Sequence, residues 1–363
     1  MHALMLPVTA VTLLTATKMV LGFILALFVA SIVLPGLERD GYPQPDGTRK
    51  RYKLTGMTLF FMTHIALFVA TFGFGVSLTP VVTHFWSIFM VANVVAVVWS
   101  VALYLLGRRQ LAQPGRHRGK DMWMGVELNP TWLGVDLKMF MYQPSLIGVY
   151  LIVLSFAYAQ RQMHGTLTPQ MICMVAFWFA YLFTHYVKEE FMLSTWDIIS
   201  EKFGFMLVWG DLVYVPFLYS LPCWWLVDQT TPLSTAQWLS LSIFFLGALW
   251  IFREANWQKE RFKRDREAAI WGKRPETVGD HLLVSGWWGV ARKINYAGEL
   301  AVYLSFALTT GMHSILPYLL PLSLTILLVQ RAARDDRKCR AKYGELWRQY
   351  CARVRYRIFP FVY

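Results

Sequence analysis

Two stretches of this chain carry side chains of a type and spacing that could do chemistry. The first is FGFMLVWGDLVYVPFLYSL, where Asp211 stands in an apolar run with Trp209, Tyr214 and Tyr219 around it and Pro216 five residues on. A carboxyl group in such a run is costly and is a functional candidate by default. Two readings stay open. Asp211 can make a helix-packing hydrogen bond beside a proline kink, or Asp211 with Tyr214 or Tyr219 can deliver a proton into an apolar cavity. Glu189, Glu190 and Asp197 precede this run and either line its mouth or form a solvated loop face. His64 and His84 are single residues on apolar segments and read as helix-to-helix hydrogen bonds.

The second stretch is the C-terminal third. IFREANWQKERFKRDREAAIWGKRP leaves an apolar run as a basic amphipathic segment, with Lys259 and Lys263 four residues apart on one helix face. LLVSGWWGVARKINYAGEL follows, carrying Trp288, Asn295 and Tyr296. The closing stretch places Asp335, Cys339, Tyr343 and Tyr350 at helical spacings. Lys and Arg suit phosphates, Asn and Asp suit ribose hydroxyls or a carboxamide, and Trp or Tyr packs on a flat heterocycle. By residue type alone this is suggestive of a cofactor site. The same basic segment would also suit an interfacial helix on anionic lipid.

The elements that must position these groups are membrane-spanning helices. Of 363 residues, 56% are apolar and 16% charged, where soluble domains run nearer a quarter charged. Apolar runs long enough for about 30 Å of hydrocarbon occur near 13–35, 54–77, 81–106, 145–160, 171–187, 203–227 and 237–252, with a tight hairpin near 297–312 and 314–330. Residues 2–17 offer an uncertain extra crossing, interrupted by Pro7, so nine to ten spans are expected. The apolar start lacks the charged leader of a cleaved signal peptide. The expected fold is an all-α polytopic transmembrane bundle with a C-terminal, cytoplasmic-face cofactor pocket.

The formal net charge of +13 invites a nucleic-acid reading, but its placement follows the membrane. Segments 36–53, 107–144, 188–202, 253–296 and 331–363 hold 5, 6, 2, 10 and 10 Lys/Arg, 33 of the 35 in the chain. With nine crossings these segments share one side, which the positive-inside rule assigns to the cytoplasm, C-terminus included. Twenty of these charges fall in the two segments flanking the hairpin, which could form a pocket for a polyanion at the membrane surface. There is no GxGxxG after a strand and no GxxxxGK[ST], so the usual soluble nucleotide folds are not encoded. The four cysteines form no CxxC pair, and neither a disulfide framework nor a metal site is indicated.

Several strings, taken in order, make a resemblance specific. GWWGVARKINYAGEL resembles the GWWGxARHxNYxGD signature of the membrane sterol reductases, and KYGELWRQYCARVRYRIFPFVY is similar to that family's KYGxxWxxYCxxVxYRIxPxxY. GVELNPTWLGVDLKMF resembles its ELNPR…DxK segment, FGFMLVWGDLVYVPFLYSL its conserved span, and LPGLERDGYPQPDGTRKRY its LPG…DGTxxxY turn. The likeness covers about residues 30–363. The family includes sterol 14-reductases, 7-dehydrocholesterol reductases, sterol 24(28)-reductases and the membrane portion of lamin B receptor.

The resemblance implies NADPH bound through Lys259, Lys263, Leu283, Trp288, Asn295, Tyr296, Asp335, the Cys339–Tyr343 run and Tyr350, and a sterol substrate drawn from the bilayer. It implies one membrane-embedded domain over 1–363, with spans 1–252 on the sterol side and 253–363 on the cofactor side. The membrane would be endoplasmic reticulum or bacterial inner membrane, according to host. Several positions depart from the family pattern: Lys263 stands for Arg, Lys293 for His, Glu299 for Asp, Thr131 for the Arg of LNPR, Gln143 for the Arg of Arg-Pro, and Ser200-Glu201 for His-Asp. Within the family, VWGDLVYVPFLYSL, LSTAQ and IWGKRP favour the 7-dehydrocholesterol reductase branch, hence the 7,8 double bond, with the 14,15 double bond as alternative. An isoprenylcysteine-methyltransferase-like enzyme shares a hairpin with a basic tail, but leaves ELNP, DLK and WGD unexplained. A non-catalytic sterol-binding scaffold is the third reading, and a transporter is disfavoured because no broken-helix repeat is visible.

Overall fold

The computed structural model describes residues 5–43, 47–110 and 118–363. These fall into two compact units, residues 1–231 and 232–363. Helices dominate both, with three short two-stranded hairpins.

In the first unit, Thr9 and Thr12 form a reciprocal cap that starts α1 (Ala10–Val33). Strands β1 (Leu37–Pro43) and β2 (Arg49–Leu54) pair antiparallel with Leu37 opposite Leu54. Residues 44–46 of the expected LPG…DGT turn lie outside the described residues. Then come α2 (Gly56–Phe68), α3 (Thr79–Thr83), α4 (Phe85–Gln110) and α5 (Arg118–Met124). A tight hairpin, β3 (Thr131–Trp132) and β4 (Val135–Asp136), turns at Leu133 and Gly134, whose φ values are +49° and +79°. The left-handed Leu133 is a strained position for a branched side chain. Asp136 then caps α6 (Leu137–His164), accepting from the Met139 N–H at 2.9 Å.

Helix α6 is the axis of this unit. Ile147, Val149, Val153 and Phe156 are fully buried, and α1, α2, α3, α7 (Pro169–Val187) and α10 (Leu221–Leu226) pack on it. After α7 the chain runs through a 3-10 turn (Glu189–Ser194), α8 (Trp196–Ile199) and α9 (Phe205–Trp209). A nine-residue π-helix, Gly210–Leu218, then joins α9 to α10. Pro216 has no N–H to give and would clash with the carbonyl four residues back, so a widened turn suits it. Edge-to-face aromatic pairs Phe85–Phe156 at 5.5 Å and Phe85–Phe217 at 5.3 Å tie α4, α6 and the π-helix. Each such pair is worth about 0.5–1.5 kcal/mol.

The second unit begins with α11 (Thr235–Arg264), capped by a Ser234–Gln237 box. The first part of the basic stretch, to Arg264, continues this one 30-residue helix. A hairpin of β5 (Thr277–Val278) and β6 (Leu282–Leu283) and a 3-10 turn (Gly286–Gly289) lead to α12 (Ile294–Leu308), α13 (Leu319–Tyr343) and α14 (Glu345–Arg353). Helices α11 and α12 pack closely, with Phe245 stacked on Phe306 at 5.9 Å.

The protein is an all-α polytopic bundle. Eight helical segments among the described residues are long and apolar enough to cross a bilayer, where nine or ten were expected. The difference lies at two places. The run at 297–312 is α12, whose 15 residues reach about 22 Å at 1.5 Å per residue, short of the hydrocarbon thickness. At the other end α1 begins only at Ala10, and residues 5–9 are not helical. Of the expected histidine contacts, His64 bonds the Phe60 carbonyl of its own helix at 2.6 Å and His84 the Pro80 carbonyl at 3.0 Å, so neither hydrogen bond crosses between helices, although the His64 ring packs on Tyr150 of α6 at 5.0 Å.

Gly298 sets the approach of α12 to α11, because a Cβ there would meet the Phe252 backbone N at 2.7 Å and its Cα at 2.9 Å. Gly298→Ala should therefore destabilise the detergent-solubilised protein by about 1–3 kcal/mol. Thermal melting checks this, and a melting temperature equal to wild type would show that the two helices can part freely.

Candidate active site

In the second unit the residues expected to hold a cofactor converge from six elements. Lys259 and Lys263 lie in the last turns of α11, Leu283 on β6 and Trp288 in the 3-10 turn. Asn295 and Tyr296 open α12, Asp335, Cys339 and Tyr343 lie on α13, and Tyr350 on α14. The Lys259 ammonium sits 4.3 Å over the Trp288 ring, a cation–π contact. Trp288 is held by its indole N–H, which donates to the Ala255 carbonyl at 2.7 Å. Leu283 and Trp288 share an apolar cluster with Phe262 and Ile270. Cys339 and Tyr343 pack on a second cluster containing Tyr350 and Trp347.

Between these clusters Lys293 donates to the Asp335 carboxylate, both side chains largely buried. Burial alone would lower the Lys293 ammonium, but Asp335 and the Tyr296 phenol beside it outweigh this and raise it above the usual lysine range. The pair stays ionised, and removing one partner of such a pair costs about 3–5 kcal/mol. Lys263 and Lys293 are the charged neighbours of Lys259, with Asp335 as the facing anion. Lys259 and Lys293 face the Asp335 carboxylate and Lys263 faces Glu260, so cations outnumber carboxylates here and leave a positive cradle that suits a phosphorylated ligand. Asn295 donates to Asn256 at 3.2 Å, while its own buried Oδ1 has no partner. An orphaned acceptor among lysines and indoles fits a ligand that brings its own donor, such as a carboxamide or a ribose hydroxyl. Half-buried Trp287, whose enclosed indole N–H is likewise unpartnered, and Lys293 were not among the expected contacts. The usual His at 293 hid the second from a motif reading.

In the first unit Asp211 is buried at the start of the π-helix. The hydroxyl beside its carboxyl is that of Ser145 on α6, and the charges acting on it are Asp197 and Lys138. Tyr214 and Tyr219 pack ring to ring at 5.7 Å, and Tyr219 lies 6.1 Å from Trp178. The three expected acid residues thus share one stretch, with Ser145 as the polar contact that the sequence did not suggest.

Lys138 is fully buried, and its ammonium donates to the carbonyls of Asp197 at 2.6 Å, Glu201 at 2.7 Å and Ile198 at 3.4 Å. Asn129 adds a bond to the Ile198 carbonyl at 3.2 Å, and Trp196 donates to the Glu201 carboxylate at 2.6 Å. The 196–201 turn is therefore fixed from α6 and from the ELNP segment. Glu189 is buried, accepting from the Gly56 N–H at 2.9 Å and the Gln143 amide at 2.9 Å, whereas Glu190 pairs with Arg39 at 3.0 Å. Of the two readings left open for these acids, Glu190 fits the solvated loop face and Glu189 does not.

Burial pushes the Glu189 carboxyl up to about 7 from its ordinary 4.5, against the lowering effect of its two hydrogen bonds. The folded protein therefore holds a proton there that the unfolded chain releases above pH 4.5, and stability falls as pH rises from about 4.5 to about 7. Glu189→Gln removes that loss, so its stability relative to wild type should grow by about 3 kcal/mol between pH 4.5 and 8. Melting both proteins at pH 5 and pH 8 checks this. A difference that does not change with pH would mean that the buried carboxyl ionises freely.

The chain matches the model of the ergosterol biosynthesis ERG4/ERG24 family over residues 5–363. It is 38% identical over 345 residues to a Delta(14)-sterol reductase of Arabidopsis thaliana, covering 93% of each chain. It is 39% identical over 337 residues to a Delta(14)-sterol reductase of Methylotuvimicrobium alcaliphilum, covering 91% of this chain and 79% of that one. To a 7-dehydrocholesterol reductase of Xenopus laevis it is 32% identical over 382 positions, covering 95% and 80%. A match of this length, over both the acid-bearing spans and the basic C-terminal unit, shows that the chain belongs to the ergosterol biosynthesis ERG4/ERG24 family of membrane sterol reductases.

Proposed function

We propose that this enzyme reduces the 14,15 double bond of a sterol with NADPH. The observation that carries the choice of bond is identity: two Delta(14)-sterol reductases match at 38% and 39%, against 32% for the 7-dehydrocholesterol reductase. Identity summed over more than 300 positions outweighs the three short strings that favour the 7,8 bond. The basic C-terminal part, 253–363, is the cofactor side in this reading, and the spans of 1–252 handle the sterol. Lys293 meets Asp335, so the basic segments before α12 and at the end of α13 lie at one face, and their Lys and Arg content supports a cytoplasmic C-terminus.

Lys259, Lys263 and Lys293 would hold the phosphates, Asn295 and Asp335 the hydroxyl or carboxamide groups, and Trp288, Tyr296 and Tyr350 the flat rings. A 2′-phosphate adds charge that this cradle favours, hence NADPH over NADH. Bound there, the cofactor supplies a hydride. An alkene is not electrophilic until a proton converts it to a carbocation, so the chain's own task is to deliver that proton and exclude water. In this reading Asp211 is the acid, with Tyr214 and Tyr219 shaping its surroundings and the Ser145 hydroxyl beside its carboxyl.

Incubating purified protein with NADPH and a panel of sterols unsaturated at 14,15 or at 7,8, with products identified by mass spectrometry, tests the assignment. A product saturated at 14,15 is expected. Product from the 7-dehydrosterol alone would transfer the assignment to the 7,8 bond, and none from any sterol would end both.

Asp211→Asn should lower turnover by about 10²–10⁴-fold while leaving NADPH affinity unchanged. The isosteric amide keeps packing but cannot give up a proton as a carboxylic acid does. Lost thermal stability with full activity per folded molecule would make Asp211 a packing residue.

A further inference from the structure

The ELNPTWLGVDLK segment has five polar side chains outside its tryptophan, and four of them are tied down. Asn129 holds the Ile198 carbonyl, Lys138 the 197–201 turn, and Asp136 both caps α6 and pairs with Lys50 at 2.6 Å. Thr131 accepts from the same Lys50 ammonium at 2.6 Å. The fifth is Glu127, whose carboxylate has no hydrogen bond or ion pair with any described residue. Its backbone is nonetheless fixed. The Glu127 carbonyl accepts from the Phe203 N–H at 2.9 Å, and neighbouring Val126 packs on Gly107 at the end of α4.

Glu127 lines one end of a groove of about 1100 Å³ between α1 and α4, larger than most small-molecule sites. The groove follows α4 from Phe89 to Leu106, about 26 Å at 1.5 Å per residue. Its wall is apolar apart from Thr17, Asn93, Glu127, Thr131 and indole edges. Thr17 bonds the Leu13 carbonyl at 2.8 Å, and Asn93 bonds the Phe89 carbonyl at 2.8 Å and the Trp209 indole at 3.0 Å. With Thr17 and Thr131 each engaged by one hydrogen bond, Glu127 is the one charged side chain of the wall, and its carboxylate meets no partner among the described residues. Trp132, stacked on Phe28 at 5.1 Å, closes the same end.

A long apolar groove that ends in an unpartnered carboxylate suits a long apolar molecule with a hydrogen-bond donor at one end. We propose that the sterol lies in this groove, its 3-hydroxyl donating to the Glu127 carboxylate. The assignment rests on the sterol-reductase reading. Glu127 is a positioning residue here: it binds the hydroxyl end and takes no part in proton or hydride transfer.

The test uses the full-length protein in lipid nanodiscs and a sterol bearing a ring diazirine, with a free 3-hydroxyl or as its 3-methyl ether. The free-hydroxyl probe should label peptides covering 13–21 and 89–106, and the ether should label them weakly. Glu127→Gln should raise the sterol KM about 10-fold, with kcat within about 2-fold and NADPH affinity unchanged. Ala102→Trp, filling the groove without touching Glu127, should reduce labelling and kcat/KM together while the protein still melts cooperatively. Labelling confined to other segments, equal labelling by the methyl ether, equal labelling by a fatty-acyl diazirine, or an unchanged KM in Glu127→Gln would each overturn the assignment. Wild-type turnover measured in the same nanodiscs separates the two levels. Turnover without groove labelling sinks only the groove, whereas no turnover on any sterol sinks the reductase reading itself.

Discussion

A lysine ammonium with no access to water must find three acceptors or lose its charge, and much of the first unit is arranged around one that does. Lys138 spends its N–H groups on the carbonyls of residues 197, 198 and 201, the open end of a turn that no helix ladder could satisfy. The cation thereby replaces water for a stretch of irregular backbone, which is tolerated at membrane depth only where protein encloses it. That turn leads directly through Phe203 and Gly204 into α9 and the π-helix, so the position of Asp211 follows from the position of Lys138. Close backbone packing of Gly204 on Gly125 completes the junction, since a Cβ at either glycine would strike the other segment's main chain.

The second unit solves the same problem with opposite means. Its cations outnumber the carboxylates that face them, and Lys293–Asp335 is the pair that makes the surplus tolerable by anchoring one lysine. Around Asp336 a parallel arrangement holds α14: the Trp347 indole donates at 3.2 Å, and Arg340 and Arg357 both lie at 3.5 Å. Arg292 bonds the Val354 and Arg355 carbonyls at 2.6 and 3.0 Å, fastening the C-terminal segment beside α12. Charges in this unit therefore divide into those consumed by the fold and those left over for a ligand.

The helices could be read from the chain because long apolar runs have few alternatives, and α6, α7 and α11 lie where hydropathy placed them. Their lengths could not be read as well. Hydropathy cannot distinguish a 15-residue buried helix such as α12 from a spanning one, since Tyr303 and Phe306 are as apolar in protein as in lipid. Charge counting failed in an instructive way at Lys138, which contributed to the lopsided placement of basic residues yet is wholly buried. Glu189 and Glu190, adjacent and chemically alike, separate into a buried proton-holding group and a half-exposed ion pair, because only Gly56 and Gln143 across the bundle decide which is enclosed. Most of the proposed cofactor contacts rest on motif likeness and not on spacing, and the motif gave no reason to single out Trp287 or Lys293.

The two units differ in polarity as their proposed tasks require. Recognition of a phosphorylated cofactor needs surplus positive charge and donors that can be released from water at moderate cost, and Lys259, Lys263 and Lys293 meet that need at partly enclosed positions. Formation of a carbocation needs the reverse, since any free nucleophile or loose water nearby would trap it. In the first unit nearly every polar side chain near the groove is already bound to protein: Thr17 and Asn93 to their own helix, Thr131 and Asp136 to Lys50, Asn129 and Lys138 to the 197–201 turn. Such tying-off suppresses reactivity as effectively as replacement by apolar residues would, while keeping the irregular segments in register. A polar group left without a full set of partners in that setting has a cost that packing does not offset. Glu127, half-buried with no partner among the described residues, and Asp211, buried with the Ser145 hydroxyl beside it, are two carboxyls that carry it. Substrate binding for the one and proton transfer for the other are functions that would repay it.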